Sequence, residues 1–363
     1  MSNNSIITDF SLSNYASFGE EVTLDLTQNI TGLYGKNACG KTSLITALHK
    51  HISICSGGHG AFLPPRNVFE YSNNKETQST LYFKSRDTEY KHSMVYIINE
   101  GNKVVYEYLG YKNGERIFEI DRRKTQNIED IFNKNIEING ATAYYKAYCQ
   151  HNSSIVNHFL LFFNNIYNAI ISKTVIINDE VLEATKSMMQ NDMIEVINDY
   201  IWFLDKDIIR VFLDLGQINT VHKKKNGEEM ILSFEEESNG TKKIILSLFW
   251  IVRSLKEGLC LIIDEIDSTL HPEMLEFIIT LFKDTEYNKM GAKLIFTSHN
   301  VDIFDYLNKE NIVIVAKHNG ESFLKPLKDY TGDNLKEDFL DGSLGSFPKI
   351  AKLAMLDKLW ENE

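Results

Sequence analysis

The chain has no apolar run long enough to cross a membrane; its longest, IILSLFWIV and LCLII, fall far short of the about 20 residues a helical span needs. Its first residues, MSNNSIITDF, carry neither the basic nor the apolar region of a secretory signal. Cysteine is scarce: the four residues, Cys39, Cys55, Cys149 and Cys260, are too few and too dispersed for a disulfide framework or a CxxC metal knuckle. CSGGHG (Cys55 to Gly60) brings a Cys and a His together but has no second pair, so no metal site is expected there. A basic excess is missing too. Lys and Arg number 38 against 50 Asp and Glu, and the net charge of −12 disfavours contact with nucleic acid. Two basic triplets, Arg122-Arg123-Lys124 and Lys223-Lys224-Lys225, read as solvated loops. Sustained heptads, internal repeats and low-complexity tracts are also lacking, which excludes long coiled coils and solenoids. What remains is a reduced, cytoplasmic, globular protein, 43% hydrophobic and 11% aromatic over 363 residues.

The pattern along the chain is α/β. SIITDFSLSNYASF, EVTLDL and NITGLYG read as strands, with a turn at Gly19-Glu20. A glycine-rich loop and a helix follow. From Gln78 to Asp121, strand-like runs separated by turn pairs such as Asn113-Gly114 predict an antiparallel meander. Residues 127–215 read as helical and irregular, with aromatic clusters such as HFLLFF expected in a core. A hairpin turns at Asn226-Gly227, and helices then alternate with the strands LCLIIDE and AKLIFTSH, as in a parallel sheet with crossovers. The expected division is an N-terminal lobe (1–126), a helical insertion (127–215) and a C-terminal lobe (216–363). FLPPR, Phe62 to Arg66, reads as a rigid loop.

Three motifs carry chemistry. GKNACGKT, from Gly35 through Lys36, Asn37, Ala38, Cys39, Gly40 and Lys41 to Thr42, matches G-x-x-x-x-G-K-[ST] between an apolar strand and a helix that continues with Ser43. Glycines let the backbone wrap a phosphate, Lys41 reaches the β/γ oxygens and the Thr42 hydroxyl suits Mg²⁺. Cys39 reads as a small residue tolerated in that loop. LCLIIDEID ends a buried strand in Asp264 and Glu265: the first would hold Mg²⁺ through water, the second would orient and deprotonate an attacking water. LIFTSHN ends another strand at His299, whose neutral imidazole would stand beside a γ-phosphate and steady the water. Upstream of Asp264, Ser238-Asn239-Gly240-Thr241 opens a helix. A serine there is an N-cap, and the free amides of the same turn suit an anion.

In this order the motifs resemble the ABC-type ATPases, in particular the SMC/RecF/OLD branch. The resemblance implies an ABC-ATPase head with a mixed P-loop core sheet, an N-terminal antiparallel β-subdomain and an inserted helical subdomain. It implies that Ser238 and Gly240, with Asn239 and Thr241, form a signature loop touching the γ-phosphate of ATP held by a second protomer. DSTLHP (Asp267 to Pro272) would be the D-loop at the dimer interface. ATP and Mg²⁺ would then join a homodimer or larger homo-oligomer. LSGGQ is absent, SNGTKK standing in its place, and neither long coiled-coil arms nor a zinc hook is present. NYASFGEEVTLDL, GERIFEID and the tail FLDGSLGSFPKI are similar to OLD-related ATPases of prokaryotic phage-defence systems, including PARIS-type ATPase–nuclease pairs. No TOPRIM carboxylate cluster or HNH-like arrangement follows His299, so the chain is expected not to be a nuclease itself, a separately encoded operon partner acting as effector. Two other readings compete: a RecF-like DNA-repair ATPase clamping duplex, with Lys242 and Lys243 beside the signature as its basic surface, and a binding module in which ATP is structural.

Overall fold

The computed structural model describes residues 5–56, 76–85, 87–97, 103–121, 163, 170–171, 191–204, 206–268 and 272–344. At its centre lies β3 (Ile30–Tyr34), buried along its whole length. It is flanked by β13 (Lys293–Ser298) and β14 (Ile312–His318), both parallel to it. Outside β13 come β12 (Cys260–Ile263) and then β8 (Ile170–Ile171), again parallel. β15 (Glu321–Pro326) closes the other edge antiparallel to β14, giving the order β15-β14-β3-β13-β12-β8. Continuous apolar runs such as CLII and LIF suit strands covered on both faces. Alternation then divides their side chains between two cores. Leu261, Ile263, Leu294 and Phe296 face a core built with the helices α3 (Asn239–Glu257) and α4 (Pro272–Lys283). Cys260, Ile262 and Ile295 face a second core around α1 (Lys41–Ser56).

That second core also receives the expected meander. β4 (Glu76–Ser85), β5 (Thr88–Ile97), β6 (Lys103–Tyr111) and β7 (Arg116–Asp121) pair antiparallel in sequence. The N-terminal strands β1 (Ser5–Ser13) and β2 (Val22–Asp25) extend it, to the order β2-β1-β4-β5-β6-β7. α1 lays Leu44, Leu48 and Ile52 against the inner face, a spacing of four residues that keeps one helical side turned inward. Each such fully buried aliphatic side chain is worth about 1.5–3 kcal/mol.

The stretch expected to be helical, 127–215, lies mostly outside the described residues, and its described part is not all helix. α2 (Asn191–Leu204) is followed by β9 (Ile208–Asp214), and β8 belongs to the central sheet. β9 pairs with β10 (Gln217–Lys223), which pairs with β11 (Glu229–Ser233) around the expected Asn226-Gly227 turn. The β9–β10 turn escapes notice because Leu215 occupies a left-handed position, at φ 48°, where Asn or Asp is the usual signal. The segment after Asn300 is a 3₁₀ turn, Val301–Tyr306, capped by the Asn300 side chain on Asp302 N, and not an α-helix. β15 was also unexpected; its few apolar residues and terminal Pro326 fit only an edge strand. A short helix, α5 (Leu335–Leu340), ends the described chain. Residues 122–124, 57–66, 269–271 and those after 344 lie outside the description, and with them one basic triplet, the FLPPR loop and parts of the CSGGHG, D-loop and tail segments. Among the described residues no helix is long and apolar enough to cross a membrane.

Candidate functional site

Three neighbouring parallel strands, β3, β13 and β12, end at one crevice, where an open α/β sheet gathers its ligands. Gly35–Gly40 leaves β3 and wraps into the N-terminus of α1. The wrap dictates its glycines: Gly35 sits at φ +152°, and a Cβ there would stand 2.1 Å from the Val315 carbonyl oxygen. Gly40, at φ +111°, is closed in by Phe18. Ala38 adopts φ 63° at the exposed tip. Cys39 is buried, and its carbonyl accepts 2.6 Å from the Ser322 hydroxyl on β15, tying the loop to the sheet edge.

Lys41 is 5% exposed and donates to the carbonyls of Gly35 (2.6 Å) and Lys36 (3.1 Å), so its ammonium lies inside the loop. Burial lowers its pKa, against the opposing pull of Cys39, Asp264, Asp267 and Glu265. His299 Nδ1 lies 3.5 Å from Lys41 Nζ. Desolvation and the Lys41 charge lower the pKa of that imidazole, which favours the neutral ring. Thr42, exposed at the start of α1, donates to Asp264 Oδ1 at 3.4 Å.

Thr297 organises the acidic strand end. Its hydroxyl donates to Asp264 Oδ1 (2.6 Å) and accepts from Glu265 N–H (2.6 Å), fixing one carboxylate directly and the next residue through its backbone. Glu265 is held at φ 51°, a left-handed conformation that a non-glycine residue keeps only under constraint. Asp267 Oδ2 accepts the His299 amide at 3.1 Å. Its other oxygen, like the Tyr34 hydroxyl, is buried without a hydrogen-bond partner among the described residues. Sequence reasoning left Thr297, Asp267 and Ser322 without these roles. The polar Thr297 interrupting an apolar strand was the one available signal.

The expected P-loop residues, Asp264, Glu265 and His299 thus converge; Ser238–Thr241 does not join them. Ser238 caps α3: its Oγ accepts from Thr241 N at 3.1 Å and lies 2.9 Å from Thr241 Oγ1. Among the described residues all hydrogen bonds of Ser238 and Thr241 are local. Thr241 is buried, whereas Ser238, Asn239 and Gly240 are exposed. A Cβ on Gly240 would meet nothing nearer than Ser238 Oγ at 3.6 Å, an ordinary contact. The loop is anchored from behind by Glu237, buried, whose Oε1 lies 2.5 Å from His222 Nε2 and accepts from the Thr220 hydroxyl, both on β10. Those two residues also went unnoticed, since nothing in a hairpin sequence announces what its inner face will hold.

The crevice fits a nucleoside triphosphate with Mg²⁺. It offers a glycine-bearing backbone loop packed too closely for a Cβ at Gly35, a buried cation inside it, a hydroxyl paired with a carboxylate, and an orphaned carboxylate oxygen of the kind a hydrated hard cation takes. The fold is like that of an ABC/SMC-type ATPase head, with the P-loop at its sheet ends. The family model "AAA domain, putative AbiEii toxin, Type IV TA system" matches residues 30–305, more than half of the chain, and the chain belongs to that family. Similar solved structures include an Smc head domain with a coiled coil and joint from Pyrococcus yayanosii, at 12% identity and TM-score 0.56, covering 94% of this chain and all of that one. A second is an SmcHead bound to the C-terminal winged helix domain of ScpA, at 16% identity and TM-score 0.55, covering 89% and 98%. A third, an Smc head with an extended coiled coil bound to a ScpA domain, derived from Pyrococcus furiosus, matches at 14% identity and TM-score 0.53, covering 89% and 96%. No curated protein sequence matches the chain.

Proposed function

We propose that the chain binds Mg-ATP in the crevice, that a second copy closes on it through Ser238–Thr241, and that hydrolysis resets the closed state. The observation that carries this reading is the convergence of Lys41, Thr42, Asp264, Glu265 and His299 at three adjacent strand ends. The loop amides and Lys41 hold the phosphates, while Thr42 and Asp264 hold Mg²⁺. When bound, the ion neutralises charge developing on the transferred phosphoryl. Glu265 orients and deprotonates the water, and neutral His299 donates toward the γ-phosphate region. Glu265→Gln is expected to lower turnover by about 10²–10⁴-fold while leaving ATP binding intact. An unaffected rate would instead support a module in which ATP is structural.

Gly240 supports the role of the second copy. Glycine costs a helix about 0.8–1.0 kcal/mol relative to alanine, yet neither its φ nor its surroundings within the chain demand it. The Asn239 and Gly240 amides, in the first helical turn, have no intrahelical acceptor. An incoming phosphate would explain both. The family description, with its toxin of a toxin–antitoxin system, supports an anti-phage setting in which a separately encoded effector responds to the gated dimer. For the competing DNA-clamp reading, Lys242 directs one of its three ammonium donors to the Glu235 carbonyl at 2.7 Å. The deciding experiment is the native mass of Glu265→Gln protein with and without Mg-ATP, alone and coexpressed with its operon neighbour. An ATP-dependent dimer that captures the neighbour is expected; a monomer indifferent to ATP would overturn the gating.

A further inference from the structure

Far from the crevice, at the other end of α1, the helix meets the antiparallel sheet through side chains that are not apolar. His51 and Cys55 stand one turn apart on the inward face of α1, and His92 reaches them from β5; all three are fully buried or nearly so. His51 Nε2 lies 2.9 Å from His92 Nδ1, and Cys55 Sγ lies 3.3 Å from that same nitrogen. Each ring is held from behind. Ser79 Oγ on β4 lies 2.8 Å from His51 Nδ1, and Glu107 Oε1 on β6 lies 2.9 Å from His92 Nε2.

The outer contacts aim the inner ones. A carboxylate accepts, so Glu107 places the His92 proton on Nε2 and turns the Nδ1 lone pair toward His51 and Cys55. A ring nitrogen has one such lone pair, but two atoms approach it. A cation at their centre would be met by all three ligand atoms. Tetrahedral zinc, with Zn–N about 2.0–2.1 Å and Zn–S about 2.3 Å, sets its ligand atoms about 3.3–3.6 Å apart. The two spacings to His92 Nδ1 lie within about half an ångström of that, and the three ligand atoms all lie within 4.8 Å of one another. Imidazole nitrogen with thiolate sulfur selects a borderline-soft ion over Mg²⁺. A histidine ligand whose far nitrogen is bound by a carboxylate or hydroxyl is the usual supporting arrangement at such centres.

We propose that His51, Cys55 and His92 form a binding site for a divalent ion of zinc type, with Glu107 and Ser79 orienting the two imidazoles. The ion pins the last turns of α1 to β5. Lys41 opens the same helix ten residues earlier, about 15 Å along its axis, so the clip fixes the element that carries the P-loop lysine. The proposal is independent of ATP turnover. The sequence argued against it because the partner of the Cys55 segment comes from a different strand far along the chain and not from a neighbouring CxxC or HxxH.

The test is metal content and cobalt spectroscopy of the full chain, purified without chelator or metal-affinity resin. About one zinc per chain is expected. Chelated protein refilled with Co²⁺ should show a thiolate-to-cobalt charge-transfer band that Cys55→Ser abolishes. Glu107→Gln should weaken zinc binding about 10–100-fold in competition with a chromophoric chelator. Chelated wild-type protein that stays folded by circular dichroism yet gives no thiolate–cobalt band would overturn the site, leaving a hydrogen-bonded cluster. So would full zinc content in a His51→Ala, Cys55→Ala, His92→Ala triple variant. Should a variant fail to fold, the wild-type cobalt spectrum decides alone.

Discussion

Two glycine-bearing loops open two helices in this molecule, and they are built on opposite terms. The loop before α1 is determined from within. Gly35 has no room for a Cβ, Lys41 bonds back onto the loop, and Ser322 holds the Cys39 carbonyl from a strand distant in sequence. The loop before α3 is anchored at Glu237 and Thr241, but Ser238, Asn239 and Gly240 face outward, with a glycine the chain does not need. A residue whose constraint is visible in its own chain is explained by folding. A residue that costs stability and meets no local demand is explained by something that comes to it. On the proposed reading the first loop is a finished half-site, and the second would meet the phosphate held by a partner.

Paired substitutions break that comparison most sharply. Gly35→Ala should have the larger effect: the new methyl meets a backbone oxygen at 2.1 Å, which cannot swing aside, and φ +152° is strained for alanine. Strain of this kind costs about 1–3 kcal/mol, and ATP binding should be lost, as read by calorimetry and thermal unfolding. Gly240→Ala should do the reverse. Chain stability should hold or rise by up to about 1 kcal/mol, while ATP-dependent dimerisation of the Glu265→Gln background weakens by about tenfold or more, since 1.4 kcal/mol is a factor of ten. Equal loss of monomer stability in both variants would erase the distinction between the loops.

A third substitution tests the finished half-site alone. Thr297→Val keeps the shape of the strand but strips Asp264 Oδ1 of its 2.6 Å donor and Glu265 N–H of its acceptor. Leaving a buried polar group unsatisfied costs about 1–3 kcal/mol. Turnover should fall about 10–100-fold, the same energy expressed as a rate, with Mg²⁺ dependence shifted to higher concentration. ATP binding measured without Mg²⁺ should barely change.

How far the sequence foretold this divides along the same line. The motif residues Gly35 to Thr42, Asp264, Glu265 and His299 stand in fixed order at the ends of apolar strands, so local pattern sufficed to bring them together. Ser238 was legible as a cap for the same reason, and it does cap α3. Contacts made across elements were not legible. Thr297 acts because β13 lies between β3 and β12, and Ser322 because β15 folds onto the P-loop edge. Glu237 finds Thr220 and His222 because a hairpin passes behind it. β9 was hidden by a leucine at a turn position, and the His51–Cys55–His92 cluster by the separation of its members.

The smallest effect expected concerns His299. Desolvation and the Lys41 ammonium lower its pKa, while Asp267, Glu265 and a hydrogen bond with the Gly35 backbone pull the other way. The unfolded chain, near the ordinary value of about 6.5, therefore binds more proton than the native one between the depressed pKa and that value. Stability rises with pH wherever the unfolded state holds the extra proton. The native state accordingly loses stability as pH falls from about 6.5 through that window, and gains nothing from this group above about 7. Because the ring is exposed to solvent, the loss should be modest and salt-sensitive. Denaturant midpoints of wild type and His299→Gln, measured from pH 5 to 8, isolate it: the other titrating groups cancel in the difference. The wild type should fall relative to the variant below about pH 6.5, and the gap should shrink once Lys41→Met removes the opposing charge. Parallel curves across the range would mean that the ring does not feel Lys41, and the neutral donor assigned to it beside the γ-phosphate would then lack its electrostatic basis.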